Sequence, residues 1–412
     1  MKYDTFLYNK KIIDLFSTNT KTRNLSLSNF ISEKEYFLDE INILKIKELI
    51  KTIEYTIHNK LIKDSIFSKS HKISNINHNN GGSFLSFDFH ITSDGPKLIE
   101  INTNAGGGLL FTEYLKIKYE VYNDRNKYLK LSYIQDCFIN MLTNEFYLQF
   151  PTRKLKSVAI VDLDPTSQPL FPELYLYKIA LELIDIQAFI VDPGELILIN
   201  NEIHYNGIKI DLIYNRLTDF YFEESYSRKI KLAYILGTVS VSPNPRYHAL
   251  YASKSNLSLL SNIDKISKFS LSEDQITTLV NTIPLTTLVT PENSSELWSN
   301  RRNLFFKPAT GFGGKAAYRG KGITKKVWSL VTQGGYVAQD YIPAEIKIFQ
   351  NESFKSDLRV YVYQGKIQFY SARLYKGQTT NFSSKGGGFA EVISSNTLSN
   401  INQSTNIKEL SL

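Results

Sequence analysis

One cysteine, Cys137, serves a chain of 412 residues, so no intramolecular disulfide forms and no Cys/His zinc spacing exists. Its neighbours, QDCFINML, predict a buried helix position rather than a nucleophile. The six histidines show no catalytic spacing, and His90 is expected on a hairpin surface. No run of roughly 18 apolar residues occurs, which excludes a membrane-spanning helix. The opening MKYDTFLYNKKIIDLF has neither the apolar core nor the small-residue cleavage site of a signal peptide. These absences predict a reducing, cytoplasmic setting with no membrane partner. There is no GxSxG nucleophile elbow, no Walker loop and no Rossmann GxGxxG. Lys and Arg (48) outnumber Asp and Glu (40), giving a net charge of +8, but the basic residues are scattered and form no recognition motif. A nucleic-acid partner is therefore not expected, whereas a basic surface suits a nucleotide or other anionic ligand.

What is present is enough apolar material for two or three cores: 42% hydrophobic and 13% aromatic residues. Residues 1–75 read as mostly helical, with a Ser–x–x–Glu capping box at Ser32 and Glu35. Residues 76–112 hold two strands, FLSFDFHI and KLIEIN, joined by SDGP, and a helical connection fills 113–150. Residues 151–250 resemble an open α/β domain: SVAIVDLD has the continuous apolar run of a buried parallel strand, followed by a helix near 171–185 and the strand QAFIVDP. Residues 251–395 contain helices near 254–262 and 272–282, the strand LFFKP, a glycine loop and further strands, with Gly365 in a hairpin turn. Residues 396–412 form a polar tail.

Several segments carry the chemistry. In SFLSFDFHITSDGPKLIEINTNAGGG (83–108), Glu100 and Asn102 lie two apart on a strand and face the same way, and Asp88 sits on the preceding strand. Carboxylate and amide oxygens suit magnesium; an exposed acidic hairpin face is the alternative. In FFKPATGFGGKAAYRG (305–320), Gly311, Gly313 and Gly314 permit close backbone approach to phosphate, while Lys307 and Lys315 supply charge. Asp357 and Arg359 share one strand face, as do Arg373 and Tyr375 on another, and an arginine fork suits phosphate or carboxylate. The loop TTNFSSKGGGF (379–389) adds three glycines.

Together these segments resemble the ATP-grasp superfamily, and in particular glutathione synthetases. The bacterial enzymes carry, in order, a strand ending Lys-Pro, a glycine flap, Ala-Gln-x-Tyr-hydrophobic-Pro, Asp-x-Arg, Ala-Arg and an Asn before a Gly pair. This chain has Lys307-Pro308, Gly311 to Gly314, Ala338 to Pro343, Asp357 to Arg359, Ala372-Arg373, Asn381 and Gly386-Gly387. The Asp…Glu-x-Asn element that follows in those enzymes is here at the other end, as Asp88…Glu100-Ile101-Asn102. Eukaryotic glutathione synthetases have a permuted order too. The resemblance therefore implies an α/β (α+β) ATP-grasp fold, circularly permuted, with an open α/β domain of the pre-ATP-grasp kind and added N-terminal helices.

The activity it implies is ligation of a small-molecule carboxylate to an amine, an amino acid or small peptide, at the expense of ATP with Mg²⁺. Lys307 and Lys254 would bind phosphates beneath the 311–315 flap, and Gln339, Asp340, Tyr341 and Ile342 would line the adenine pocket. Asp357 would contact ribose or the phosphate region, and Asn381 phosphate. Asp88, Glu100 and Asn102 would hold one or two Mg²⁺. Arg359 and Arg373 would stabilise the transferring phosphoryl group. Asn104, Gly106, Gly107, Arg216 and Gly387 are substrate contacts by position. A related kinase, transferring phosphate to a hydroxyl, and a non-catalytic nucleotide-binding module share the same motifs.

Overall fold

The computed structural model describes residues 30–311, 316–377, 380 and 384–394. Gly313, Gly314, Lys315, Asn381 and the tail at 396–412 lie outside the described residues. The first described element is strand β1 (Ile31–Phe37), where the capping box had predicted a helix. β1 pairs in parallel with a strand near the other end of the chain, and the Ser32 hydroxyl donates to the Gly386 carbonyl, 354 positions away, instead of capping. Local periodicity cannot register such a partner. Helix α1 (Glu40–His58) starts later, capped by Asp39, whose carboxylate accepts from the Asn42 N–H at 2.8 Å. Helix α2 (Lys60–Phe67) follows.

Strands β2 (Leu85–Thr92) and β3 (Gly95–Asn102) form the expected hairpin, closed by Ser93-Asp94, with Gly95 at φ +110°. The predicted helical connection is two helices, α3 (Gly108–Val121) and α4 (Arg125–Gln149), broken at Asn123 and restarted by Asp124, whose side chain accepts from Lys127 N–H. Cys137 lies on α4 half-buried, not buried as expected.

Next comes a four-stranded sheet built from β4 (Ser157–Val161), β5 (Gln187–Val191), β9 (Leu212–Asn215) and β10 (Ser240–Ser242), all parallel, in the order β10-β9-β4-β5. Between β5 and β9 the short strands β6 (Ile197–Ile199), β7 (Glu202–Tyr205) and β8 (Ile208–Lys209) form a separate antiparallel sheet. Helix α5 (Phe171–Glu182) covers one face of the parallel sheet and α6 (Arg228–Leu236) the other. Every residue of β4 is buried, the cause of its unbroken apolar run.

The remainder carries α7 (Pro245–Tyr251), α8 (Leu257–Leu260), α9 (Ile263–Ile266), α10 (Glu273–Thr282), β11 (Thr286–Leu288), α11 (Ser294–Asn300), β12 (Leu304–Pro308), β13 (Tyr318–Arg319), α12 (Lys325–Val331), β14 (Tyr336–Asp340), β15 (Glu345–Phe349), β16 (Glu352–Tyr363), β17 (Lys366–Tyr375) and β18 (Gly388–Ile393). The helix predicted over 254–262 is instead a 3₁₀ turn, Lys254–Asn256, followed by the single-turn α8. The Lys254 N–H is bonded across to the Ala309 carbonyl at the exit of β12. The segment read as a loop through 389 gives way to strand β18 at Gly388. Strands β11-β14-β12-β13 make a small antiparallel sheet.

Strands β1-β18-β17-β16-β2-β3, with β15 paired to β16, make the seven-stranded main sheet. Strand alternation gives it two unlike faces. Leu85, Phe87, Phe89, Leu358, Val360, Val362 and Leu374 pack on α1, through Ile46, Leu49, Ile50, Ile53 and Ile57. The opposite face carries Tyr361, Phe369 and Phe389 against α3 and α4, and beside them the polar residues of β2, β3, β16 and β17. No described helix is long and apolar enough to cross a membrane.

Glu145 on α4 is fully buried and ties three elements together. It accepts from Gly82 N–H, from the Tyr363 hydroxyl at 2.7 Å and from the Ser242 hydroxyl at 3.5 Å. No described Lys, Arg or His lies within ion-pair distance of it, and burial pushes its carboxyl up to about 8. Stability gained by keeping it protonated is fully present below its unfolded value near 4.5 and is lost as pH rises through about 8. Glu145→Gln stays neutral, and its amide can donate to Tyr363. Its stability relative to the parent should therefore rise by upwards of about 1 kcal/mol between pH 5 and pH 9 in urea titrations. Parallel pH profiles would refute this.

Candidate active site

A cavity of about 700 Å³ lies between the polar face of the main sheet, the small antiparallel sheet and the C-terminal ends of β4 and β9. The mouth of a parallel sheet beyond its C-terminal strand ends is where open α/β domains bind ligands.

At one pole stand two lysines. Lys307 leaves β12 and donates to the Gln339 side-chain oxygen at 2.8 Å and the Ile99 carbonyl at 3.1 Å. Lys254 donates to the Gly311 carbonyl at 2.9 Å, and its ammonium is 3.5 Å from Glu100 Oε2. Both are over nine-tenths buried. Burial pushes Lys307 down to about 8, against the pull of Glu100 and with the push of Lys254. Gln339 is itself buried and spends its amide N–H on Thr286, so its side chain anchors Lys307 and the β14 backbone. Asp340, Tyr341, Ile342 and Phe305 complete this wall, and Arg319 lies over the Tyr341 ring at 4.2 Å. His90, expected on the surface, donates from Nδ1 to the Ile342 carbonyl at 2.8 Å and lines the cavity.

The floor is an ion-pair network fixed by strand register. Asp88 faces Glu100 across the hairpin and Arg359 on its other side, while Asp357 faces Arg373. Arg359 clamps Asp88 through Nε (2.9 Å) and Nη2 (2.7 Å), and Arg373 reaches it at 3.0 Å and Asp357 at 2.5 Å. Burial alone would raise the Asp88 pKa, but Arg359 and Arg373 hold its carboxyl well below the usual range. Asn102 donates to Asp88 Oδ2 at 3.2 Å and Glu100 Oε1 at 3.1 Å. Against burial, Lys254 and Lys307 keep Glu100 ionised. The donor set is all oxygen, the chemistry a hard divalent cation takes. Among the described residues no three His, Cys, Asp or Glu converge, so a cation here would rely on Glu100, Asn102 and oxygens from ligand or water, as magnesium does. Asp88 already spends both oxygens on arginines.

The far pole is made by the 103–108 loop and the strand ends of the parallel sheet. Arg216, at the end of β9, is buried, and its Nη1 makes only long bonds, to the Ala105 carbonyl (3.5 Å) and the Tyr214 hydroxyl (3.4 Å). Its Nε has no partner, and no described carboxylate is within ion-pair distance. Asn104 donates to the Arg216 carbonyl at 2.8 Å, and its own side-chain oxygen is unpartnered. Asp162, at the end of β4, is pushed up to about 6 by burial against the pull of Arg216. His248 stacks on Phe220 at 3.8 Å and meets the Thr103 hydroxyl at 3.0 Å. Burial and nearby Lys254 push it down to about 3.

Most of the residues singled out in the sequence thus meet around one cavity. Asp88 and Asp357 lie beneath the arginines rather than in the lining. Gly107 and Gly387 serve backbone packing instead: a Cβ on Gly107 would meet the Phe389 ring at 2.2 Å, and one on Gly387 the Leu374 carbonyl at 2.4 Å. Asp162, His248 and Thr103, which also line the cavity, escaped notice in the sequence. Only Asp162 carried a signal, its position just past a buried parallel strand.

No protein-family model matches the chain, and no curated protein sequence matches it. Solved structures do. A glutathione synthetase-like effector from Globodera pallida superposes with TM-score 0.55 at 11% identity, covering 95% of this chain and 98% of that one. A putative gamma-glutamylcysteine synthetase from Methylobacillus flagellatus gives TM-score 0.46 at 8% identity over 84% of each chain. The ATP-grasp ligase PsnB, solved with a precursor, Mg and ADP, gives TM-score 0.30 at 10% identity over 58% of this chain and 90% of that one. The chain has an α/β fold of the ATP-grasp type. At 11% identity the likeness to the effector shows the fold alone, and the two lower scores add nothing to it.

Proposed function

We propose that this protein is an ATP-dependent ligase that joins the carboxylate of an amino acid or small peptide to an amine through an acylphosphate, releasing ADP and phosphate. One observation carries the reading: two buried lysines, two arginines and the Glu100–Asn102 pair converge on one cavity that also reaches the mouth of the parallel sheet. A substrate carboxylate oxygen would attack the γ-phosphorus as the bond to ADP breaks. The amine would then attack the acyl carbon, phosphate would leave, and the amine proton would pass to solvent. Lys254 and Lys307 would bind phosphate oxygens, with Lys315, Gly313, Gly314 and Asn381 adding contacts from the flap and the later loop. Gln339 to Ile342 would flank the base, and Asp357 would act on nucleotide through Arg373. Arg359 and Arg373 would face the charge that develops on the transferring group. Mg²⁺ at Glu100 and Asn102 would neutralise phosphate charge, with Asp88 holding the arginines and sharing an oxygen at most. Arg216, Asn104 and Gly106 would receive the substrate's anionic end, since a buried guanidinium with no carboxylate in ion-pair distance among the described residues suits one.

We further propose that the chain order is a circular permutation of the usual ATP-grasp order. In support, the early β2–β3 hairpin pairs directly with β16, the strand bearing Asp357 and Arg359.

Glu100→Ala tests the metal assignment. The parent should bind ATP more tightly with Mg²⁺ than with a chelator, and the variant should lose that increment while melting as a folded protein. An unchanged increment by calorimetry would remove Glu100 from the cation site.

A further inference from the structure

Helix α3 begins at the glycine run, and its first-turn N–H groups need acceptors. Residue 107 occupies the cap position at φ +89° and has no side chain, because a Cβ there would strike Phe389. The acceptor comes instead from another body of the fold. Glu173, in the first turn of α5, reaches across so that Oε2 accepts from Gly107 N–H at 2.8 Å and Oε1 from Leu109 and Leu110 N–H at 3.0 and 3.4 Å. It is 1% exposed and has no described cation within ion-pair distance.

A local Ser, Asp or Asn is the usual way to cap a helix. A buried carboxylate brought from 66 positions away does something a local cap does not. It fixes the Gly106–Gly107 peptide from one end. The other end of that peptide, the Gly106 carbonyl, accepts from the Tyr361 hydroxyl at 3.0 Å and, at the outer limit of 3.5 Å, from Arg359 Nη1. Gly106 itself is wedged against Arg216 and Leu170, where a Cβ would lie 2.8 and 2.6 Å from their side chains. One peptide plane therefore connects the parallel-sheet domain to the arginine of the main sheet that faces the cavity.

We propose that Glu173 is a positioning residue: by holding the Gly106–Gly107 peptide it sets Arg359 for the phosphoryl group and keeps the 103–108 loop between the two poles of the cavity. This rests on the ligase reading above. Glu173→Gln is nearly isosteric but turns one acceptor into a donor facing a backbone N–H. Three quantities are measured on parent and variant: amide exchange across 104–112, the Kd for ATP with Mg²⁺, and the Kd for ADP with aluminium fluoride, which mimics the transferring phosphoryl group.

In the variant, exchange at Gly107, Leu109 and Leu110 should accelerate, and ATP affinity should stay within about twofold. The aluminium fluoride complex should weaken on the order of tenfold to a hundredfold, the scale of a misplaced catalytic group. Glu173→Asp, which keeps the charge but shortens the reach, should fall between the two and serves if the Gln variant does not fold. Faster exchange with both nucleotide complexes unchanged would make Glu173 a mere helix cap and overturn the proposal alone. A parent that binds neither nucleotide would overturn the ligase reading and this inference with it.

Discussion

Asp88→Asn is expected to lower the free energy of unfolding by about 3–5 kcal/mol, the cost of breaking a buried ion pair from one side. Asp88 is 2% exposed and bonded to two guanidinium groups at 2.7–3.0 Å. Arg373 would retain Asp357, but Arg359 has no other carboxylate partner among the described residues. Asparagine keeps the volume and one acceptor, so the loss is one of charge and not of packing. Burial opposes the charge on Arg359, yet the Asp88 contact raises its pKa. It will stay ionised in the variant and seek water, opening the floor of the cavity. A denaturant midpoint displaced by that amount, with an unchanged slope, is the expected result. A loss under about 1 kcal/mol would mean that water or another anion already serves the arginines.

Lys307→Met should weaken ATP binding on the order of tenfold to a hundredfold, because a charge-assisted bond is worth about 1.5–3 kcal/mol. Methionine follows the same path through the core, and Gln339 keeps Thr286, so the melting temperature should move little. A second signature is pH. The Lys307 ammonium, pushed down to about 8, is lost in the free protein as pH rises through that value. ATP affinity in the parent should therefore decline between pH 7 and pH 9. That decline should be absent from the methionine variant. Equal affinity of parent and variant by calorimetry would contradict the role given to Lys307.

The sequence made the parts of this site legible, though not their depth. Glu100 and Asn102, two apart on a strand, had to share a face. Asp88 was expected near them through the SDGP turn, and the hairpin delivers all three. It could not say that Arg359 and Arg373 would take both Asp88 oxygens, because that depends on the register between β2 and β16, strands separated by most of the chain. Non-local pairing likewise hid β1 and β18: neither alternates strongly enough to outweigh a capping-box pattern or a glycine cluster. The continuous apolar run of β4 was readable, since burial on both faces leaves a mark in composition. Glu173 left none. A glutamate in the first turn of a helix usually serves the macrodipole of its own helix. That this one caps another helix follows only from how α3 and α5 meet.

The measurement closest to the central claim is incubation of the pure protein with ATP, Mg²⁺ and a pooled library of amino acids and small peptides, followed by quantification of ADP, AMP and new masses. ADP and phosphate are expected in step with a product equal in mass to two library members less one water. AMP in place of ADP would contradict the acylphosphate route, and a product heavier by one phosphate without condensation would contradict the ligase in favour of a kinase.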